Sequence, residues 1–536
     1  LVKDYKGHHL TGEMDKDYIR GLFVRYVTPQ SYKPTYGTAG FRSNAEDLEA
    51  VMFRCGVLMS LRALHTDMNC GIMITASHNP ENDNGVKLVD FTGEMINEEW
   101  QSYATSFAQA KTFKQFWTSV EQLALSNSSA SIQTKTTSTV FVGIDTRKSG
   151  EHLANICSKG IMACGLKPNF IGQVTTPELH YNVQTSNTMD TFPSYREYLL
   201  NNYNTMVQSM QSMQPVHQQL HVDCANGVGY MRLSEMKPYL QTMGIELILY
   251  NTGSGVDGGK HILNHECGAD YVEKKQTFPQ GMSNVHENAQ CCSLDGDADR
   301  IVYFTKKHGQ FMLLNGDRIA CLLAKHLQNL THNVKPKALS IGVIQTAYSN
   351  GASTAYISQN FPDINVECTH TGVQYLHQVA HKYDVGIYFE ANGHGTVLFS
   401  SKAKENSKIC LISKVLSQVV GDAIGNMLVI QYVLACCSYS LNDWLELYED
   451  YYTVQDKLYV DRNAYETTDY GRILVKPCVI QCIIDDITKK YMHHKPRAFV
   501  RPSGTENCVR LYVEGTNEKC VSIINSKITD AILSYA

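Results

Sequence analysis

The apolar and polar positions divide most of the chain into repeated cycles. Each cycle is a short apolar run, a polar loop and an amphipathic stretch. Ile72, Met73 and Ile74 form one such run, which breaks into Thr75-Ala76-Ser77-His78-Asn79-Pro80. Pro80 disfavours helix at Asn79, so the chain is expected to turn just after the serine and the histidine. Ser77 is thereby presented at the carboxyl end of a strand, where open α/β sheets place their chemistry. A surface loop with an incidental Ser-His pair is the plainer alternative. Leu48, Met52, Cys55 and Met59 recur at helical spacing and predict a buried helix face within 44–64. A second helix is predicted over 97–125. Runs at 139–144 and 169–173 predict strands, the first closed by Asp145 to Gly150 and the second by Thr175-Thr176-Pro177. The rhythm is that of a mainly parallel sheet with helices on its faces.

It restarts twice. Strands are predicted at 219–223, 246–250, 291–294 and 301–304 with a helix over 231–243, then at 338–345, 365–368 and 385–390 with a helix over 317–327. The segment 409–437 reads as mostly helical, and 443–451 as a shorter helix. The remainder differs. Residues 473–484 and 498–500 read as strands, 508–513 alternates, and a closing helix carries Val521, Ile524 and Ile528 on one face. The expected fold class is α/β, with three similar mixed or parallel-sheet domains and a C-terminal α+β domain. The divisions fall at 1–180, 181–300, 301–455 and 456–536. The first 30 residues suggest a partly helical extension. Residues 126–138 read as an exposed loop, 182–189 as a polar segment, and 208–219, rich in Met, Gln and Ser, as an insertion or linker.

With 536 residues the chain is too long for one ordinary core, in keeping with several domains. A net charge of -5 with no long basic run argues against a dedicated nucleic-acid binder. The 17 cysteines form no short disulfide framework and read as reduced, mostly buried thiols of a cytosolic protein, among them Cys55, Cys478, Cys482 and Cys508. The first residues have no apolar signal core. The stretch 423–442 carries no charge, but its asparagines, glutamine and serines read as a buried helix rather than a membrane span.

Asp295-Gly-Asp-Ala-Asp is the strongest local signal for chemistry. Carboxylates at alternate positions, with small residues between, can converge on one hard cation, and Mg2+ suits such an oxygen site. A calcium loop would need glutamate at its twelfth position, where this chain has Lys306. Arg300 follows directly and can reach a phosphate or a neighbouring acid. Arg501-Pro-Ser503-Gly504-Thr505 reads as an anion cradle of guanidinium, hydroxyls and a tight turn, with Arg510 as a second guanidinium. A hairpin loop solvated by its arginine is the alternative. Glu390 to Gly395 offers a carboxylate, the Asn392 amide and the His394 imidazole, which suits a polyhydroxylated ligand; His394 alone could equally be structural. Arg42, Lys87, Arg147 and Lys148 are basic groups at loop ends, each able to meet phosphate. The glycine-rich 253–259 has neither phosphate-loop nor dinucleotide spacing and reads as a shaping turn.

Taken together, YGTAGFR at 36–42, TASHNP at 75–80, NGVKLVD at 84–90, TTP at 175–177, DGDADR at 295–300, EANGHG at 390–395 and RPSGTE at 501–506 resemble the α-D-phosphohexomutase superfamily, and within it the phosphoacetylglucosamine mutase family. The resemblance spans nearly the whole chain from Tyr36. It implies four domains around a central cleft. It implies a mutase that interconverts N-acetylglucosamine 6-phosphate and 1-phosphate and so supplies UDP-N-acetylglucosamine synthesis. Ser77 would be the modified residue, a phosphoserine, and also a metal contact beside Asp295, Asp297 and Asp299. A hexose 1,6-bisphosphate would be the intermediate, and Mg2+ the cofactor. Lys87 would act as general base, with His78, Arg42 and Arg300 beside it. Thr176, Glu390, Asn392, His394, Arg501, Ser503, Gly504, Thr505 and Arg510 would bind substrate. The implied partner is a small sugar phosphate, without nucleic acid or membrane, and the protein would be a cytoplasmic monomer. The rival readings are a phosphoglucomutase or phosphomannomutase, a Mg2+-dependent sugar phosphatase with Asp295 as nucleophile, and a silent sugar-phosphate binder.

Overall fold

The computed structural model describes residues 14–125, 138–210, 218–253, 261–331, 339–504 and 507–535. Most of the Met/Gln/Ser patch, of the 126–138 loop and of the glycine-rich 251–259 lies outside them. The chain divides into two units. The first runs to Leu313 and takes in Lys414–Val429; the second is Leu314–Ser413 with Ile430–Ala536.

The first unit holds two five-stranded sheets. One comprises β1 (Phe41–Asn44), β2 (Cys70–Ile74), β3 (Asp83–Val89), β4 (Val140–Ile144) and β5 (Pro168–Gln173), in the order β1-β3-β2-β4-β5. β2, β4 and β5 run parallel, whereas β3 lies antiparallel between β1 and β2. The second sheet comprises β6 (Gln218–Asp223), β7 (Ile245–Tyr250), β8 (Gln290–Leu294), β9 (Ile301–Lys307) and β10 (Gln310–Leu314), ordered β10-β9-β8-β6-β7. β6 is parallel to both β7 and β8, and β8 and β9 form an antiparallel hairpin. β2, β4 and β8 therefore all deliver their following loops from the same strand end, as the chemistry of an open sheet requires.

The helix Glu49–Thr66 is buried on nearly every side. It crosses the helix Gly150–Ala163 at two glycines: a Cβ on Gly160 would stand 2.2 Å from the Phe53 carbonyl oxygen, and one on Gly56 2.2 Å from that of Cys157. The extension is helical over Lys16–Arg25 and buries Ile19, Leu22 and Phe23 in the same core. The predicted helix 97–125 is two, Glu98–Gln109 and Phe113–Leu125. The polar segment at 182–189 belongs to the helix Thr176–Thr188, capped by the Thr175 hydroxyl on the Glu178 amide. Its Leu179, Val183 and Tyr181 supply the buried face that composition alone obscures.

The second unit holds β11 (Ile341–Thr346), β12 (Ile364–Thr369), β13 (Val385–Phe389) and β14 (Gly395–Phe399), ordered β12-β11-β13-β14, with only the β13–β14 hairpin antiparallel. Its C-terminal part has β15 (Tyr452–Leu458), the ribbon β16 (Glu466–Thr468) and β17 (Ile473–Lys476), then β18 (Arg497–Pro502) and β19 (Val509–Gly515). β19 is central to an antiparallel sheet with β15 and β18. The predicted strand 473–484 stops at Lys476, and Cys478–Lys490 is a helix that buries Ile480, Ile484 and Ile487. Their four- and three-residue spacing outweighs the strand preference of isoleucine. Cys478 and Cys482 consequently lie on its exposed side, not in a core, while Cys55 and Cys508 are buried. The segment 409–437 is two helices, Ser407–Val415 and Ala423–Cys437, and the short one predicted at 443–451 is Leu441–Leu445. Among the described residues no helix is long and apolar enough to cross a membrane.

Gly160→Ala is expected to destabilise the first unit by about 1–3 kcal/mol, because the helices must part to admit the methyl group. Gly21→Ala, where a Cβ meets nothing within 4 Å, should be neutral or stabilising by up to about 1 kcal/mol. Equal denaturation midpoints for the two variants would contradict the packing described.

Candidate active site

Ser77 sits in the left-handed region, with φ 48°, a conformation that costs a non-glycine residue about 1–3 kcal/mol and persists only when its surroundings impose it. They do so here. The Thr75 hydroxyl donates to Asp145 Oδ2 at 2.7 Å and accepts the Ser77 amide at 2.9 Å. Arg147, fixed by Asp145 at 3.0 Å, donates Nη2 to the carbonyls of Ser77 and Asn79 and Nη1 to those of Pro80 and Asp83. Asn264 Nδ2 grips the same Ser77 and Asn79 carbonyls at 2.7 and 3.1 Å. Arg147, one of the basic groups considered for phosphate, is thus a backbone clamp. Lys148 points outward to Glu81 at 3.2 Å.

The antiparallel insertion of β3 brings Lys87 to the serine: Met73 pairs with Lys87, and Arg42 of β1 with Gly85. The Ser77 hydroxyl is 3.2 Å from Asp297 Oδ2 and accepts from Arg42 Nη2 at 3.2 Å. Lys87 Nζ reaches Asp297 Oδ2 at 2.6 Å and Asp299 Oδ2 at 2.5 Å. The six residues from Asp295 to Arg300 close the β8–β9 hairpin. Asp295 Oδ1 accepts the amides of Asp299 and Arg300, and Ala298 turns the loop at φ 57°. Arg300 Nε stands 3.6 Å from Asp295 and 3.7 Å from Asp299. Thr176 is wholly buried and donates its hydroxyl to Asp297 Oδ2 at 2.5 Å. Expected at the substrate, it instead holds a carboxylate of the acidic loop. A Cβ on Gly296 would lie 2.7 Å from the Ser77 carbonyl oxygen, so glycine is what lets the serine loop and the acidic loop touch.

Asp295, Asp297 and Asp299 are all 0% exposed. Each offers an oxygen within 4.8 Å of the others. Asp295 Oδ2 and Asp297 Oδ1 are buried and accept no hydrogen bond. Three convergent carboxylates, two of them with a buried oxygen that accepts no hydrogen bond, fit Mg2+. Burial, then Asp299 and Asp297, raises the Asp295 carboxyl well above the ordinary range. Burial lowers Arg42 to about 10, aided by Arg300. Burial, then Arg300 and Arg42, holds His78 well below the ordinary imidazole value, so it is neutral at pH 7. Burial would depress Lys87, but Asp297 and Asp299 outweigh it and its pKa is raised. Arg42 also acts to lower it, but does not prevail while the ammonium lies against two carboxylates.

In the second unit, Glu390 to His394 closes the β13–β14 hairpin. The Glu390 amide donates to the His394 carbonyl at 2.9 Å, and the His394 amide to Asn392 Oδ1 at 3.0 Å. Glu390 and Asn392 are half-buried and His394 is buried. Arg501 ends β18 with Nη1 on the Thr371 hydroxyl. The Ser503 amide donates to the Cys508 carbonyl at 2.9 Å. Gly504 has open space about it, and Thr505 lies outside the described residues. Arg501 pairs directly across the sheet with Arg510. Like charges at paired positions cost about 0.2–1 kcal/mol, which an anion bound between them would reverse.

Family models match across the chain: phosphoacetylglucosamine mutase AMG1 domain II at 186–302 and domain III at 315–439, and phosphoglucomutase/phosphomannomutase domain I at 56–115 and 108–191 and C-terminal domain at 468–531. The phosphoacetylglucosamine mutase of Sus scrofa is 40% identical over 98% of both chains.

The chain belongs to the phosphoacetylglucosamine mutase family.

The human family member is 39% identical over 98% of both chains. A crystal structure of the Aspergillus fumigatus N-acetylphosphoglucosamine mutase in complex with GlcNAc-6P and magnesium superposes with a TM-score of 0.88 at 36% identity, covering 97% of this chain and 98% of that one. Membership places the chain in the α-D-phosphohexomutase superfamily. What the sequence reading missed is the support of the serine loop: Thr75, Asp145 and Asn264 carried no signal, because their partners are backbone carbonyls or lie far along the chain.

Arg147→Ala should destabilise the first unit by about 3–5 kcal/mol, since it strands Asp145 in the interior. Lys148→Ala should shift stability by less than about 0.5 kcal/mol. Chemical denaturation of the two variants side by side distinguishes the clamp from its exposed neighbour.

Proposed function

We propose that this chain interconverts N-acetylglucosamine 6-phosphate and N-acetylglucosamine 1-phosphate, with Ser77 as the phosphoryl carrier and a 1,6-bisphosphate as intermediate. The carrying observation is the Ser77 hydroxyl at 3.2 Å from both Asp297 and Arg42 beside three buried carboxylates. Asp295, Asp297 and Asp299 would hold Mg2+, which when bound neutralises charge on the transferring group.

In the forward half-reaction the bond between phosphorus and the Ser77 oxygen breaks, and one forms to the free sugar hydroxyl. That hydroxyl loses its proton to Lys87 acting as the neutral amine, after the ammonium has left Asp297 and Asp299 and given its own proton to solvent. Arg42 and Arg300 balance the equatorial oxygens, and neutral His78 orients the group. The second half-reaction returns the other phosphate to Ser77 and the proton to the sugar. Glu390, Asn392 and His394 would read the sugar hydroxyls in either pose. Arg501, Ser503, Gly504, Thr505 and Arg510 would grip the phosphate that is not reacting. Supply of UDP-N-acetylglucosamine synthesis, a monomeric state and a cytoplasmic location complete the reading; the 17 free thiols favour a reducing compartment.

Protein primed with glucose 1,6-bisphosphate and Mg2+ should interconvert the two N-acetylglucosamine phosphates in preference to those of glucose or mannose, and chelation should stop it. Ser77→Ala should lower turnover at least about 10⁴-fold. Retained phosphate release by that variant would favour the phosphatase with Asp295 as nucleophile. Preferred turnover of glucose or mannose phosphate would move the chain to the other hexomutases.

A further inference from the structure

The acidic loop is held from outside by two helix starts. The Thr176 amide, first in the helix Thr176–Thr188, donates to the Asp297 carbonyl at 3.0 Å. The Ala423 amide, first in the helix Ala423–Cys437, donates to the Ala298 carbonyl at 3.0 Å. Ala298 stands between two of the three convergent aspartates, at φ 57° and wholly buried. Its carbonyl has no access to water, so the Ala423 amide fixes the turn that aims Asp297 and Asp299.

Ala423 is itself seated by a buried pair. Asp422 is 2% exposed and caps the helix, its Oδ1 accepting the Gly425 amide at 2.9 Å. A Cβ on Gly425 would stand 2.9 Å from Asp422 Oδ2 and 2.6 Å from the Val415 carbonyl oxygen, so glycine leaves the cap its room. The Tyr195 hydroxyl, on a side chain equally sheltered, lies 2.8 Å from both Asp422 oxygens. Tyr195 opens the helix Tyr195–Gln208, whose start is fixed by a reciprocal cap between Ser194 and Glu197, and its ring packs on Tyr181 of the Thr176–Thr188 helix at 5.8 Å. The two helix starts that grip the acidic loop are thereby joined through Tyr195. Asp422 is not among the carboxylates that converge with Asp295, Asp297 and Asp299.

We infer that Tyr195 and Asp422 are positioning residues for the metal loop: together they seat the Ala423 amide on the Ala298 carbonyl and so set the separation of Asp297 and Asp299. The inference rests on the acidic loop being the Mg2+ site, and direct metal binding tests the two separately. Mg2+ is titrated into the full chain by calorimetry and Mn2+ by electron paramagnetic resonance, with thermal melting in parallel. Tyr195→Phe, which removes one oxygen, should weaken metal binding roughly 10-fold, the lower end for residues that orient ligands. Asp422→Ala should do the same, and the double variant should be no weaker than Asp422→Ala, because both act through one amide. Asp422→Asn, which retains a capping oxygen, should recover most of the affinity. A lower melting temperature with wild-type metal affinity in Tyr195→Phe would overturn the inference and leave the pair a packing device; that variant also carries the test if Asp422→Ala does not fold. Absence of metal binding in the wild type would instead overturn the reading of the acidic loop.

Discussion

Three carboxylates out of water and within 4.8 Å of one another are the constraint on which the first unit depends. At an effective dielectric constant of about 20, each pair at that separation repels by about 3–4 kcal/mol. The fold meets this with cations brought from three directions. β3 runs against its neighbours so that Lys87 lies across Asp297 and Asp299. β1 brings Arg42, and the hairpin itself brings Arg300. These cations offset the repulsion, and Asp295 Oδ2 and Asp297 Oδ1, which accept no hydrogen bond, are left to a metal ion.

The second unit solves the opposite problem. There the paired charges are positive, with Arg501 and Arg510 at facing positions on two strands, and the β13–β14 hairpin carries Glu390, Asn392 and His394. One half of the chain concentrates negative charge around a serine, and the other positive charge around an open glycine turn.

Much of this was legible in the sequence where it is written locally. The serine turn follows an apolar run and ends in Pro80; the aspartates alternate with small residues; the arginine cradle carries its own glycine. β3 was not legible as a strand because it begins Asp83-Asn84-Gly85, polar and flexible, and becomes apolar only from Val86. The helix Cys478–Lys490 was obscured by β-branched composition, although Ile480, Ile484 and Ile487 keep helical spacing. Arg147 was misread for a deeper reason. A guanidinium at a loop end looks the same in sequence whether it meets phosphate or carbonyls, and the other half of its clamp, Asn264, lies 187 positions from Ser77. Thr176 likewise finds its partner 121 positions away. Local pattern reveals groups that act on a ligand; groups that hold other groups are defined by distant pairings.

The contact at Gly296 carries a further consequence. Serine loop and acidic loop meet at a spacing that excludes even a methyl group, and the serine side is pinned by Arg147 and Asn264. Neither can slide past the other, so Ser77 and the acidic cluster are held as one part. Accommodation of a different sugar must therefore fall to other loops. Variation in this chemistry is free to act on recognition, while the reacting centre can be kept whole or lost whole.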